Sequence, residues 1–278
     1  MSQLTETAPP APLTPQEPRR HGGPGLRPLV RSEVRKLFAT KLWLWLLLGA
    51  LAFAALSSII TLATDGVQGN PNPRLATDAG LRNLFSGIAA GAVFAILLGA
   101  IGMTGEFRHQ TATPTFLASP HRGRVVVAKL VTYALAGLGY GLACTALVLA
   151  VALPWLAAKN IDVSLTGDGI PAVIAAAIAV SAVYALVGVG VGALVRNQIA
   201  AVVGTLIYLF LLEALIANIP KVRDYYKWFP GGAAQALTQG QSSQYTLLHP
   251  WQGGLLLAGY GLAFALAGTY LAVRRDVT

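Results

Sequence analysis

The chain has 278 residues, of which only 11% are charged and 55% are hydrophobic. Soluble domains carry about 25% charged residues, so this composition excludes a soluble globular protein, and it equally excludes a wholly disordered one. The single cysteine, Cys144, excludes a disulfide framework. The net charge of +9 falls between apolar runs, where membrane phosphates rather than nucleic acid are the expected partner.

The chain opens with a proline-rich segment, residues 1–26, that contains no apolar run and predicts a disordered cytoplasmic tail. The apolar residues of segment 27–41 recur at helical spacing, and its polar face is cationic. This pattern predicts an amphipathic helix that lies in the headgroup plane. An ordinary basic flank that snorkels to the interface is the alternative. The residues that define the polar face are Arg31, Glu33, Arg35 and Lys36.

The region 42–275 contains six apolar runs, each close to the roughly 20 residues that a membrane-spanning helix needs. Their hydrophobicity is continuous rather than alternating, which indicates helices and not barrel strands. The sequence therefore predicts an all-α integral membrane protein of six transmembrane helices. The predicted spans are 42–64, 84–104, 130–153, 170–194, 199–217 and 252–273.

The distribution of lysine and arginine predicts the orientation of these spans. Most of these side chains lie in the N-terminal segment, in the loop 105–129 and after the sixth span. The positive-inside rule therefore places both termini in the cytoplasm, for a protein of the plasma or inner membrane. Tryptophans near the ends of the runs are typical of interfacial anchors.

The loop between spans two and three is the most distinctive polar segment. Thr113, Pro114 and Thr115 are suited to begin a short helix, and Pro120 to end it. Phe116 and Leu117 would be its apolar contacts. A short helix at the cytosolic surface, bracketed by charges, is suited to docking on a partner.

The sequence of this loop resembles that of the permease subunits of type-2 ABC exporters, above all their actinobacterial branch. The similar stretches are Thr104–Gly–Glu–Phe–Arg–His–Gln–Thr111 and Ser119–Pro–His–Arg–Gly–Arg124. The segments 31–36 and 230–237 also resemble that family, so that the resemblance covers about residues 27–275.

The resemblance implies that residues 106–120 form a coupling helix that fits into a separate ABC-type ATPase subunit. It also implies that 27–41 is an elbow helix, that 219–250 includes short helices dipping into the outer leaflet, and that a second permease chain, identical or related, completes the pore. The chain has no G-x-x-x-x-G-K-[ST] motif, so it is not expected to be an enzyme, and ATP and Mg²⁺ would be bound by the ATPase. The predicted coupling residues are Glu106, Phe107, Arg108, His109, Thr111, Phe116, Leu117, Pro120 and Arg122.

Several polar residues near the spans admit more than one interpretation. Glu106 could pair with the ATPase or with the elbow helix, or be a solvated charge at a helix end. Glu213, the only charge inside a predicted span, could reach the interface or Lys221, or face the substrate pathway. Tyr133 and Tyr140 share one helix face and could line that pathway, although packing within the bundle is favoured.

Glycine pairs four residues apart predict close helix packing at 87/91, 137/141 and 188/192. The histidines show no metal-ligand spacing, and no metal is expected. The sequence lacks the H-E-x-x-H motif and a histidine within any span, which disfavours an intramembrane hydrolase. An ion-coupled carrier or channel, or a non-transporting membrane scaffold, are the alternatives to an exporter subunit.

Overall fold

A computed structural model describes residues 25–70, 72–108, 122–164, 167, 169–239 and 246–274. The predicted tail, apart from its last two residues, and most of the loop 106–120 lie outside the described residues. All regular elements in the described ranges are helices.

The N-terminal helix α1 (Leu26–Ala39) covers most of the predicted amphipathic segment. Of the apolar residues at helical spacing, four are half-buried, Leu29, Val30, Val34 and Leu37, whereas Leu26 and Phe38 are exposed. The helix packs chiefly on span three. Arg31 and Arg35 are exposed, but Glu33 is the one buried residue of the helix. Glu33, which the periodicity places on the polar face, is buried because that side of α1 rests on the ends of two spans.

Six helical regions are long and apolar enough to cross a membrane, which defines a multi-pass membrane protein. Spans one, three, four and six are single helices: α2 (Leu42–Ala63), α5 (Arg122–Ala158), α6 (Ile170–Val195) and α10 (Pro250–Arg274). Span two consists of α3 (Asp78–Ser86), a 3₁₀ turn (Gly87–Gly91) and α4 (Ala92–Arg108). Span five consists of α7 (Gln198–Ile207), a π-helical segment (Tyr208–Leu212) and α8 (Glu213–Asn218).

The predicted span boundaries differ most in span three. The apolar run predicts residues 130–153, but the helix begins at Arg122 and ends at Ala158. At 1.5 Å per residue its length is about 55 Å, well beyond the roughly 30 Å of a hydrocarbon core. Hydropathy alone misses the first turns because they contain Arg122, Arg124 and Lys129, and the last turn begins at Pro154, a residue that usually ends a helix.

Span four is the central helix of the bundle and packs most extensively on span two, then on spans three and six. Glycines permit this close approach: a Cβ atom at Gly192 would lie 2.7 Å from the carbonyl oxygen of Ala100, and one at Gly188 would collide with the backbone of Ile96. A Cβ at Gly141 would lie 2.8 Å from the Cα of Ile178 on span four. The predicted role of these glycine pairs in helix packing is thus confirmed.

Two short helices join spans five and six, a 3₁₀ helix (Arg223–Trp228) and α9 (Pro230–Gln239). Helix α9 packs on α10 and on span four, and its Ala233 and Ala236 are fully buried. The 3₁₀ helix lies against α9. The Tyr260 hydroxyl of span six donates a 2.7 Å hydrogen bond to the carbonyl of Trp228, which holds the connection against the bundle.

Candidate functional site

Four charged side chains meet where α1 crosses the ends of spans two and three. We call Glu33, Lys36, Glu106 and Lys129 the charge cluster. Glu33 and Lys36 are one helical turn apart on α1 and therefore share a face. Glu106 lies in the last turn of span two, and Lys129 lies two turns into span three. The cluster thus joins three helices that are far apart in the sequence.

The geometry of the charge cluster is a closed arrangement of two acids and two lysines. Lys129 Nζ lies 2.6 Å from Glu33 Oε2 and 3.0 Å from Glu106 Oε1. Lys36 Nζ lies 2.6 Å from Glu33 Oε1 and 3.1 Å from Glu106 Oε1. Each lysine therefore bridges both carboxylates, and the formal charges cancel.

Burial distinguishes the two lysines. The side chains of Lys129 and Glu33 are each 3% exposed, whereas that of Lys36 is 46% exposed. Burial alone would raise the pKa of Glu33, but the ion pairs and hydrogen bonds with Lys129 and Lys36 hold that pKa below its ordinary value. A buried charge is tolerated only when it is paired and hydrogen-bonded, and the cluster meets that condition.

Aromatic and backbone groups complete the surroundings of Lys129. Its ammonium lies 5.6 Å from the ring centroid of Tyr133 and 3.5 Å from the carbonyl oxygen of Gly102. A Cβ atom at Gly102 would collide with the Tyr133 hydroxyl, so glycine is what admits that ring. Two helical turns further along the same face, the Tyr140 hydroxyl donates to the carbonyl of Trp43. Both tyrosines are buried and pack within the bundle.

The charge cluster forms one wall of an open cleft with a volume of about 470 Å³. Leu37 and Trp43 from the N-terminal side and Gln198 from span five also line it. The acids and lysines neutralise one another, so none is placed as a free nucleophile or general base. What this arrangement can do is mechanical: it ties α1 rigidly to two spans.

The structure brings together only part of the predicted coupling set. Glu106 joins α1 through Lys36, which is one of the interpretations that its sequence position left open. Phe107 and Arg108 end the helix of span two, and Arg122 begins that of span three. The other predicted coupling residues lie outside the described residues: His109, Thr111, Phe116, Leu117 and Pro120.

Sequence reasoning missed the residue at the centre of the cluster, Lys129. By sequence it is one of several basic residues in the loop 105–129, although it follows the apolar run Val125–Ala128 inside a helix. A lone lysine after such a run is the signal that could have identified it, since a buried lysine requires a carboxylate partner.

A second polar site surrounds Glu213 at the opposite end of the bundle. Glu213 is 5% exposed, and its Oε1 accepts a 3.0 Å hydrogen bond from the Gly231 N–H in the first turn of α9. It is also hydrogen-bonded to the side chain of Tyr208, in the π-helical segment just before it. Its hydrogen-bond partners are thus Gly231 and Tyr208 rather than Lys221. Tyr208 lies in a predicted span and Gly231 in the segment 230–237, but nothing in the sequence links either of them to Glu213.

In the described ranges, no group of three or more histidine, cysteine, aspartate or glutamate residues is arranged to hold a metal ion. No family model matches the chain, and no curated protein matches it significantly.

Proposed function

We propose that the chain is the transmembrane permease subunit of an ATP-driven ABC exporter. It forms the substrate pathway, together with a second permease chain, and is coupled to a separate ATPase through the cytoplasmic loop 106–120. The proposal includes cytoplasmic termini and an α1 that lies in the membrane interface.

The observation that carries this proposal is the charge cluster. Glu106 begins the proposed coupling loop, and its carboxylate is bound to Lys129 of span three and Lys36 of α1. A force on the loop would therefore reach three helices at once, because buried ion pairs resist separation. Coupling of hydrolysis to transport needs such a rigid link, since the hydrolysing subunit must move the spans.

Exposed apolar side chains on three spans support a membrane environment, and they leave surface that a second chain could contact. Span one exposes Trp45 and Leu48, span five exposes Ile199, and span six exposes Leu255 and Leu266. In lipid such side chains contact acyl chains or a neighbouring helix at no cost.

The first experiment is purification of the tagged chain from its native membrane. We expect a protein with a Walker A motif to co-purify and to hydrolyse ATP. Replacing residues 111–120 by a Gly-Ser linker should remove that protein, and the same replacement of residues 66–70 is the matched control. Intact folding is verified by protection of the buried Cys144 thiol. Transport in proteoliposomes by the chain alone, without ATP, would overturn the proposal in favour of an ion-coupled carrier.

The second experiment tests the orientation. Because Cys144 is the only cysteine, Cys144→Ala gives a background for single labels. A membrane-impermeant maleimide added to intact cells should label Asn72→Cys, which is exposed, and leave Thr115→Cys unlabelled until the membrane is opened. The reverse pattern would exclude a cytoplasmic coupling loop.

A further inference from the structure

A pocket of about 300 Å³ lies between spans four, five and six and the beginning of α9. Its lining is apolar and aromatic, and it includes the side chains of Tyr184, Tyr208, Tyr260 and Phe264. The size is at the lower end of the range for small-molecule sites, about 300–1,000 Å³. Three phenol rings in one small apolar pocket provide faces that attract a cation.

The Glu213 carboxyl group adjoins the lining of this pocket without being part of it. Tyr208 contributes its ring to the pocket and is hydrogen-bonded to Glu213. Tyr184 and Tyr260 lie close enough to interact electrostatically with the same carboxyl group. Three of the lining tyrosines thus lie near one acid.

Glu213 lacks a cationic partner in the part of the chain that the structure describes. Its hydrogen-bond partners are the Gly231 N–H and Tyr208, and no lysine or arginine contributes to its electrostatic surroundings there. A buried acid is costly without a counter-charge, in contrast to the fully paired acids of the charge cluster. Gly231 brings the α9 backbone so close that a Cβ atom there would collide with Glu213 Oε2. The acid is therefore fixed in place beside the pocket.

We propose that this pocket binds a lipophilic monovalent cation, with the tyrosine rings as its walls and Glu213 as its counter-charge. The apolar lining accepts the hydrocarbon part of the ligand, and the buried carboxyl group selects for positive charge over neutral analogues. The further statement that this cation is a transported substrate rests on the proposed exporter function; the binding itself does not.

Two glycines give a matched steric test of the pocket. Gly204 lines the pocket, and a Cβ atom there would meet nothing within 4 Å, so Gly204→Leu adds a bulky side chain to the lining with no clash at its Cβ atom. Gly259 on span six also has nothing within 4 Å, but it does not line the pocket, so Gly259→Leu is the control. Both substitutions replace a helical glycine and should not weaken the helices.

The experiment measures binding of radiolabelled benzyltriethylammonium to the purified chain in nanodiscs of zwitterionic lipid, with empty nanodiscs subtracted. We expect saturable binding of one cation per chain and no competition by the neutral N,N-diethylbenzamide. Glu213→Gln should weaken binding at least tenfold, since it keeps an acceptor for Gly231 but removes the charge. Gly204→Leu should abolish binding, and Gly259→Leu should leave it unchanged.

The proposal is overturned by equal competition from the neutral amide, by unchanged binding in Gly204→Leu, or by equal losses in the two leucine variants. It is also overturned if Glu213→Gln binds as the wild type does. The assay contains no ATPase, and the co-purification experiment contains no cation, so failure of one proposal is distinguishable from failure of the other.

Discussion

Replacing Lys129 by methionine tests whether burial, rather than ion-pair distance, sets the strength of the charge cluster. Methionine retains an apolar stem but removes the buried one of the two lysines that bridge Glu33 and Glu106, and leaves only the half-exposed Lys36. Removing one partner of a buried ion pair costs about 3–5 kcal/mol, because the remaining charge stays buried. We expect the free energy of unfolding to fall by that amount in Lys129→Met.

Lys36→Met is the matched comparison. Lys36 lies 2.6 Å and 3.1 Å from the same two carboxylates, against 2.6 Å and 3.0 Å for Lys129. The side chain of Lys36 is 46% exposed, however, and an exposed pair contributes about 1 kcal/mol or less. If distance alone set the strength of an ion pair, the two variants would lose equal amounts of unfolding free energy. Burial predicts a larger loss for Lys129→Met than for Lys36→Met.

The buried thiol of Cys144 provides the assay, since a thiol reagent labels it when the bundle opens. When the equilibrium between the closed and the open bundle limits labelling, the labelling rate follows the free energy of unfolding. A loss of 3 kcal/mol in that free energy accelerates labelling about 150-fold, and a loss of 1 kcal/mol about fivefold. Lys159→Met is the control, because its 3.8 Å pair with Asp65 is partly exposed on both sides. Equal labelling rates in the Lys129 and Lys36 variants would refute the reasoning.

Three further predictions follow from other contacts. Gly137→Ala should lower the thermal unfolding midpoint because its Cβ atom would press on the span four backbone, whereas Gly139→Ala, with open space, should keep or raise it. Because the pKa of Glu33 is lowered in the folded chain, its contribution to stability is present above pH 4.5 and is lost as the pH falls below that; Glu33→Gln should abolish this component of acid unfolding monitored by circular dichroism. Gly231→Ala should break the α9 contact with Glu213, and faster proteolysis between spans five and six should report it; unchanged proteolysis would contradict that role.

The spans could be predicted from the sequence because hydropathy acts locally. Each span has its own continuous apolar run, and the glycine pairs already mark the faces that approach closely. The π-helical segment before Glu213 could not be predicted, because its residues are the same apolar types that continue an ordinary helix.

The charge cluster was only half predictable. Helical periodicity identifies Glu33 and Lys36 as neighbours on one face of α1, but it does not say what lies against that face. The answer depends on Lys129, which is 96 residues away from Glu33 in the sequence. Charged residues are seldom buried unless they are paired, and a long-range pair leaves no local signature, so periodicity places Glu33 on the polar face without indicating its burial.

The length of span three gives the molecule a stiff lever. The helix from Arg122 to the proline at position 154 is about 50 Å long, and Lys129 anchors it near one end. Pro154 lies about 38 Å along the helix from Lys129, so a tilt of about 5° at that anchor displaces it by roughly 3 Å. Small movements beside α1 are therefore magnified at the opposite face of the bilayer.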